Sequence, residues 1–168
     1  MFIPDAKMKT ETDRLILSRF SENDLLDLFE YLSDPEVVKF EPYRSMTLEE
    51  VCQELRLQIA SDEMVAVELK SSGKLIGNVY LGKRDNNALE IGFVFNKDYW
   101  KQGYAMESCA AVIREAFSSG VDRIIAHCDP KNQDSWRLLE KLGFTQTAHL
   151  KQNVYFWKDD RGQPGGYI

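Results

Sequence analysis

Just before a long helical stretch the chain reads Lys101-Gln102-Gly103-Tyr104-Ala105. A glycine and a small residue at the mouth of a helix leave successive backbone N–H groups pointing at one spot. The helix dipole adds positive potential there, so the turn suits a phosphate. The same turn also serves plain packing, and its meaning depends on what precedes and follows it. No Gly-Lys-Ser/Thr follows, which argues against P-loop phosphoryl transfer. His127 and Cys128 are neighbours, but successive strand residues point to opposite faces, so they do not form a thiol–imidazole pair.

The elements that must position this turn follow from periodicity. A strand is expected over 14–20, then a helix capped by Ser21 and running to Ser33 before Asp34-Pro35 stops it. Thr47 and Glu50 form a capping box for a second helix, with Leu48, Val51, Cys52, Leu55 and Ile59 inward. Strands are expected over 64–70 and 75–82 around a hairpin turn at 71–74. A further strand over 89–95 alternates, with Leu89, Ile91, Phe93 and Phe95 on one side and Glu90, Gly92 and Val94 on the other. After the turn, Met106, Cys109, Ala110, Ile113, Ala116 and Phe117 define a helix that Gly120 ends. A buried strand over 121–128, a helix over 133–142 closed by Gly143, and two strands within 144–158 complete the chain. Residues 159–168 read as a loose tail.

A length of 168 residues suits one domain with a proper core, and no linker or repeat divides it. The fold class is therefore α/β (α+β) in a single domain, 1–168, with its core at 12–157. A net charge of −6 argues against a nucleic-acid partner and fits a cationic small one better. Three cysteines without C-x-x-C spacing indicate reduced, packed thiols, no metal site and a cytoplasmic setting. No run approaches membrane-spanning length, so no membrane partner is expected, and the chain reads as a monomer or homodimer.

The order of parts resembles the GNAT N-acetyltransferases. The strand LEIGFVF, the link NKDYW, the turn KQGYA and the helix after it look like that family's nucleotide-binding segment. DPKNQDSWRLLEKLGF is similar to its second signature, and TDRLILSRFSENDLLDLFEYLSDPEVV resembles the branch that acetylates ribosomal-protein N-termini. The likeness spans about 12–157 and implies a mixed, mostly antiparallel sheet of about six to seven strands with about four helices. It also implies a splayed strand pair that holds acetyl-CoA as co-substrate. By that resemblance the backbone N–H groups of Lys101, Gln102, Gly103, Tyr104, Ala105 and Met106 hold the pyrophosphate, with the Lys101 side chain adding charge. The backbone of Phe93, Val94 and Phe95 receives the pantetheine arm, and Asn132 hydrogen-bonds it. The first position of the family's turn pattern is Trp100 here.

Acetyl transfer requires a neutral amine. Neutralising a lysine-like ammonium at pH 7 costs about 4–5 kcal/mol, and a peptide α-amine only about 1 kcal/mol. Glu90, on the strand lining the thioester, is the first candidate base, its alternative being a solvated strand carboxylate. His127 is the second, its alternative being a satisfied core histidine. The tyrosine that many relatives use as general acid is replaced by Leu139, and Ser135 is the nearest substitute, toward the coenzyme sulfur. Asn132 either contacts the ligand or caps its helix; one side chain does not easily do both, and the family pattern favours the ligand. The oxyanion donor is expected to be a backbone N–H near Val94 or Phe95.

The acceptor side falls to the loop carrying Phe40, Glu41 and Tyr43, faced by residues 153–157. The function expected is acetyl transfer from acetyl-CoA to a primary amine, of a protein N-terminus or a small molecule. A coenzyme A-binding or sensing module without turnover is the alternative.

Overall fold

Residues 9–146 are described by a computed structural model. Their strands are β1 (Thr10–Glu11), β2 (Leu15–Ser18), β3 (Met64–Leu69), β4 (Leu75–Arg84), β5 (Ala88–Phe95) and β6 (Arg123–Ala126). They form one sheet in the order β1-β2-β3-β4-β5-β6. Every neighbouring pair is antiparallel except β5–β6, which is parallel. A parallel pair needs a crossover, and helix α3 (Tyr104–Ser118) supplies it. Helices α1 (Leu25–Leu32) and α2 (Leu48–Ala60) fill the connection from β2 to β3, and α4 (Gln133–Lys141) follows β6. This is the mixed sheet with four helices that the sequence implied. Among the described residues no helix is long and apolar enough to cross a membrane.

The sheet buries both faces. Leu15, Leu17, Val65, Val67, Val79, Leu81, Leu89, Ile91 and Phe95 pack with Cys109, Val112 and Ala116 of α3. On the other face Ala66 and Leu75 pack with Leu28, Tyr31, Leu32, Val51 and Leu55 of α1 and α2, and Val94 joins that cluster. The odd-and-even alternation of β5 thus sends its phenylalanines toward α3 and the side chain of Val94 toward α1 and α2.

The helix starts follow their caps. Glu50 Oε2 accepts the Thr47 N–H at 2.8 Å while Thr47 Oγ1 accepts the Glu50 N–H at 3.3 Å. Asp24 Oδ2 accepts the Ser21 N–H at 2.8 Å, and a short 3-10 turn, Glu22–Asp24, leads into α1. Two inward assignments are corrected. Leu48 is 45% exposed and Phe117 is 49% exposed. Each stands at a helix end, where the inward stripe has rotated away. In α3 that stripe runs through Ser108, Cys109, Val112 and Ala116.

The strand expected over 121–128 is shorter and half-buried, Arg123–Ala126. Its ladder with β5 ends at Ile91–Ala126, which leaves His127 and Cys128 beyond the pairing. The strands expected within 144–158 and the tail lie outside the described residues, except for Phe144–Gln146, which carry no regular element.

Candidate active site

The last register pair between β5 and β6 is Ile91 with Ala126, yet β5 continues to Phe95 against β4. A wedge opens there. The phase of the β4–β5 ladder settles which backbone groups face it. The Asn96 N–H donates to Ile76 O at 2.9 Å, so Asn78–Val94 and Tyr80–Gly92 are the hydrogen-bonded pairs. The Val94 amide is therefore spent on β4. Phe93 and Phe95 turn their N–H and C=O groups toward the wedge. Of the two positions expected to offer an oxyanion donor, only Phe95 presents its N–H. The Phe95 carbonyl is already taken, since the Trp100 indole N–H donates to it at 2.8 Å.

At the wide end of the wedge the chain makes a 3-10 turn, Lys97–Tyr99, and then enters α3. Lys101 sits at φ 59° and Gly103 at φ 84°, a conformation that costs glycine nothing. Gly103 is the N-cap and offers no side chain to the helix end. Among the described residues the N–H groups of Lys101, Gln102, Gly103, Tyr104, Ala105 and Met106 meet no acceptor. The turn is held from outside. The Gln102 side chain donates to Asp98 O at 3.1 Å, and Arg14 Nη1 donates to Gln102 O at 2.9 Å. Arg14 also pairs with Glu107 at 2.8 Å and lies over the Tyr104 ring, 4.2 Å from its centroid. Thus a β2-edge cation braces the turn and adds positive charge beside the bare amides, a part missed from sequence because it lies 88 residues away.

A second group of side chains gathers where β4, β5 and β6 meet. His127 Nδ1 lies 3.0 Å from Glu90 Oε1. A carboxylate only accepts, so the pairing puts the hydrogen on Nδ1 and leaves the Nε2 lone pair of the neutral ring free. Glu90 Oε2 accepts from Arg84 Nε at 2.7 Å, and Arg84 Nη1 reaches the Tyr80 hydroxyl at 3.4 Å. Gly82 lies opposite Glu90, and a Cβ there would fall 1.8 Å from the Tyr80 hydroxyl. The glycine thus leaves room for Tyr80 to reach Arg84. The two candidate bases named separately from sequence are one hydrogen-bonded unit, and His127 is exposed rather than a core residue. Arg84 and Tyr80 were missed. The Asn86–Asn87 turn, with φ of 57° and 53°, sets the hairpin register that makes Arg84 and Glu90 diagonal neighbours.

On the far side of the wedge, Asn132 Oδ1 accepts the Ser135 N–H at 3.2 Å and caps α4. That corrects the assumed conflict between its two uses. Its amide group carries both an acceptor and donors, and the Nδ2 donors keep no partner among the described residues. The Ser135 hydroxyl is half-buried and unengaged there, and Leu139 is buried in the helix face.

The α1–α2 loop is tied to the segment that leads into α3. Lys97 Nζ lies 2.9 Å from Asp34 and 3.4 Å from Glu36. Phe40 and Tyr43 are half-buried within the loop, and Tyr43 joins the cluster that contains Val94. Between them Glu41 is half-buried, and its N–H donates to Val38 O at 2.9 Å. Its carboxylate has no hydrogen-bond or ion-pair partner among the described residues, and burial pushes that carboxyl up to about 7. A folded-state carboxyl raised in this way favours the protonated form, so it weakens the fold as pH climbs from about 4.5 through about 7. Replacing Glu41 with glutamine is expected to raise the melting temperature increasingly across that window. Allowing for solvent, the gain above pH 7 is about 1–3 kcal/mol, and calorimetry at pH 5 and pH 8 checks it. The opposite wall proposed at residues 153–157 lies outside the described residues.

The family model for the acetyltransferase (GNAT) domain matches residues 14–145, and the chain belongs to that family. A curated relative, the uncharacterised N-acetyltransferase YnaD of Bacillus subtilis, is 32% identical over 150 residues, covering 88% of each chain. The crystal structure of a GNAT-family acetyltransferase from Bacillus anthracis superposes with a TM-score of 0.83. It is 30% identical, over 88% of this chain and 89% of that one. A ribosomal-protein-S5-alanine acetyltransferase from Vibrio fischeri shares the fold with a TM-score of 0.75 at 22% identity, over 89% of both chains. The chain is an acetyltransferase.

Proposed function

We propose that the protein transfers acetyl from acetyl-CoA to a primary amine by direct attack. The observation that carries this reading is the run of unpaired amides from Lys101 to Met106 leading straight into the wedge beside Phe93 and Phe95. The amides and Arg14 suit a diphosphate. The main-chain groups of Phe93 and the Phe95 N–H suit the amide-bearing arm, joined by the Asn132 amide from across the wedge.

His127 Nε2 takes a proton from the amine while Glu90, buttressed by Arg84, holds the ring. The amine nitrogen forms a bond to the thioester carbonyl carbon. Negative charge develops on the carbonyl oxygen, the carbon–sulfur bond breaks, and the sulfur leaves as thiolate near Ser135. The thiolate then takes up a proton from solvent. A thiol of pKa about 8.5 leaves tolerably without a general acid, which accommodates Leu139 where relatives place a tyrosine.

Leu139 also keeps a second reading in view, a module that binds coenzyme A without turnover. Release of free thiol from acetyl-CoA with a panel of primary amines separates the two. Turnover with any amine supports the enzyme, and binding of coenzyme A with no turnover across the panel overturns it.

A further inference from the structure

Strands β4 and β5 carry Gly77, Gly82 and Gly92, and a glycine inside a strand weakens it and calls for a reason. Packing supplies the reason at the first two. A Cβ on Gly77 would fall 2.5 Å from the Phe95 ring, and one on Gly82 would fall 1.8 Å from the Tyr80 hydroxyl. Gly92 is different. Among the described residues a Cβ there would meet only Cβ and Cδ1 of Tyr80, each at 3.9 Å, an ordinary contact. Its backbone does not call for glycine either, since the positive-φ glycines are Gly73, Gly103, Gly120 and Gly143. Neither packing nor conformation uses the missing side chain, and Gly92 is only half-buried.

The space above Gly92 lies at the reaction centre. Gly92 pairs with Tyr80 across the antiparallel ladder, and Glu90 and Val94 flank it on the same face of β5. The parallel ladder pairs Glu90 with Ile125, and two further residues along each chain lead to Gly92 and, across the wedge, to His127. Glu90 Oε1 and His127 Nδ1 meet beside it at 3.0 Å. Tyr80 leans the other way, its hydroxyl over Gly82 and 3.4 Å from Arg84 Nη1, which keeps the phenol end clear of Gly92. Val94 belongs to the apolar cluster that includes Tyr43 and Leu28. The opening thus has bare backbone as its floor, Tyr80 and Val94 as apolar sides, and the Glu90–His127 pair at its end. Such sides suit a carbon chain, and the imidazole suits the nitrogen it carries.

We propose that Gly92 is the floor on which the acceptor's amine-bearing carbon rests, so that the bulk of residue 92 selects the acceptors that reach His127. The inference rests on the acetyl-transfer reading and assigns that reaction a specificity-determining residue. The absent Cβ leaves room for one methyl group, so the wild-type site admits amines branched at the carbon next to nitrogen. A methyl too many in such a site costs about tenfold or more in kcat/KM.

The test uses butylamine and its isomer sec-butylamine, which differ in branching at that carbon. Gly92→Ala is expected to lower kcat/KM about tenfold for sec-butylamine and less than about threefold for butylamine, and Gly92→Val to lower both about 100-fold. Both variants are expected to bind coenzyme A within about twofold of the wild type. Gly92→Ala is expected to melt no earlier than the wild type, because alanine suits a strand interior better than glycine. A Gly92→Ala protein that keeps full activity on both amines, loses both equally, binds coenzyme A tenfold more weakly or melts earlier overturns the inference. A calorimetric titration of each amine into protein saturated with coenzyme A reads the seat without turnover. Amine binding that Gly92→Val abolishes, with no acetyl transfer by the wild type, retains the inference and sinks the acetyl-transfer reading. Amine binding unchanged in Gly92→Val, or absent in the wild type, sinks the inference, whatever thiol release shows about transfer.

Discussion

Replacing His127 with alanine is expected to lower kcat/KM by about 10²–10³-fold, the range of a positioned general base. The effect belongs to kcat as well as kcat/KM, because on the proposed mechanism the ring acts on the amine proton as the bond forms. Glu90→Gln is expected to cost about 10–100-fold, since the amide neither fixes the Nδ1 hydrogen nor stabilises the imidazolium as a carboxylate does. The two losses do not add. Glu90 touches His127 at 3.0 Å and on the proposed mechanism orients it, so the double variant is expected to fall little below His127→Ala alone. Steady-state kinetics on the three variants, with a pH–rate profile of each, is the measurement. An alanine variant with wild-type kcat removes the imidazole from the chemistry and returns the role to Glu90 acting through water.

Substituting valine for Gly103 is expected to weaken coenzyme A binding by about 10²-fold, equivalent to losing one or two charge-assisted hydrogen bonds of about 1.5–3 kcal/mol each. Gly103 sits at φ 84°, where a β-branched residue is strained, and its Cβ would stand 3.3 Å from Arg14 Nη2. The turn must therefore relax, and the amides from Lys101 to Met106 cease to converge. Calorimetric titration of coenzyme A measures this, and thermal unfolding without ligand separates it from an overall loss of about 1–3 kcal/mol of strain. A variant that melts earlier but binds coenzyme A as tightly as the wild type moves the phosphate site elsewhere.

Much of this architecture is readable in the chain because its signals are local. Thr47 with Glu50, the alternation from Leu89 to Phe95, and the Gly103 turn each declare themselves within a few residues. Helix ends were less legible, as Leu48 and Phe117 illustrate, because a periodic pattern does not say where the last turn leaves the core. The site was legible only as separate residues. That Glu90 and His127 touch depends on the parallel register that pairs Glu90 with Ile125, two residues before His127. Arg14 reaches Gln102 only after β2 and the α3 entrance have packed. Neither distance is written in spacing along the chain. The division of Asn132 between a cap and free donors was hidden for a different reason: residue type gives the groups, and only coordinates give the direction in which each points.

The Trp100 indole seated on the Phe95 carbonyl has a consequence for how far a bound arm can travel. With that acceptor occupied, the open edge of β5 offers a donor and an acceptor at Phe93 and a lone donor at Phe95. A ligand chain that slides one step toward the helix has to share that acceptor with the indole, so the step is disfavoured. On the proposed reading the indole is a detent. It fixes the length measured from phosphate to sulfur, and thereby sets where the acyl carbon comes to rest against His127.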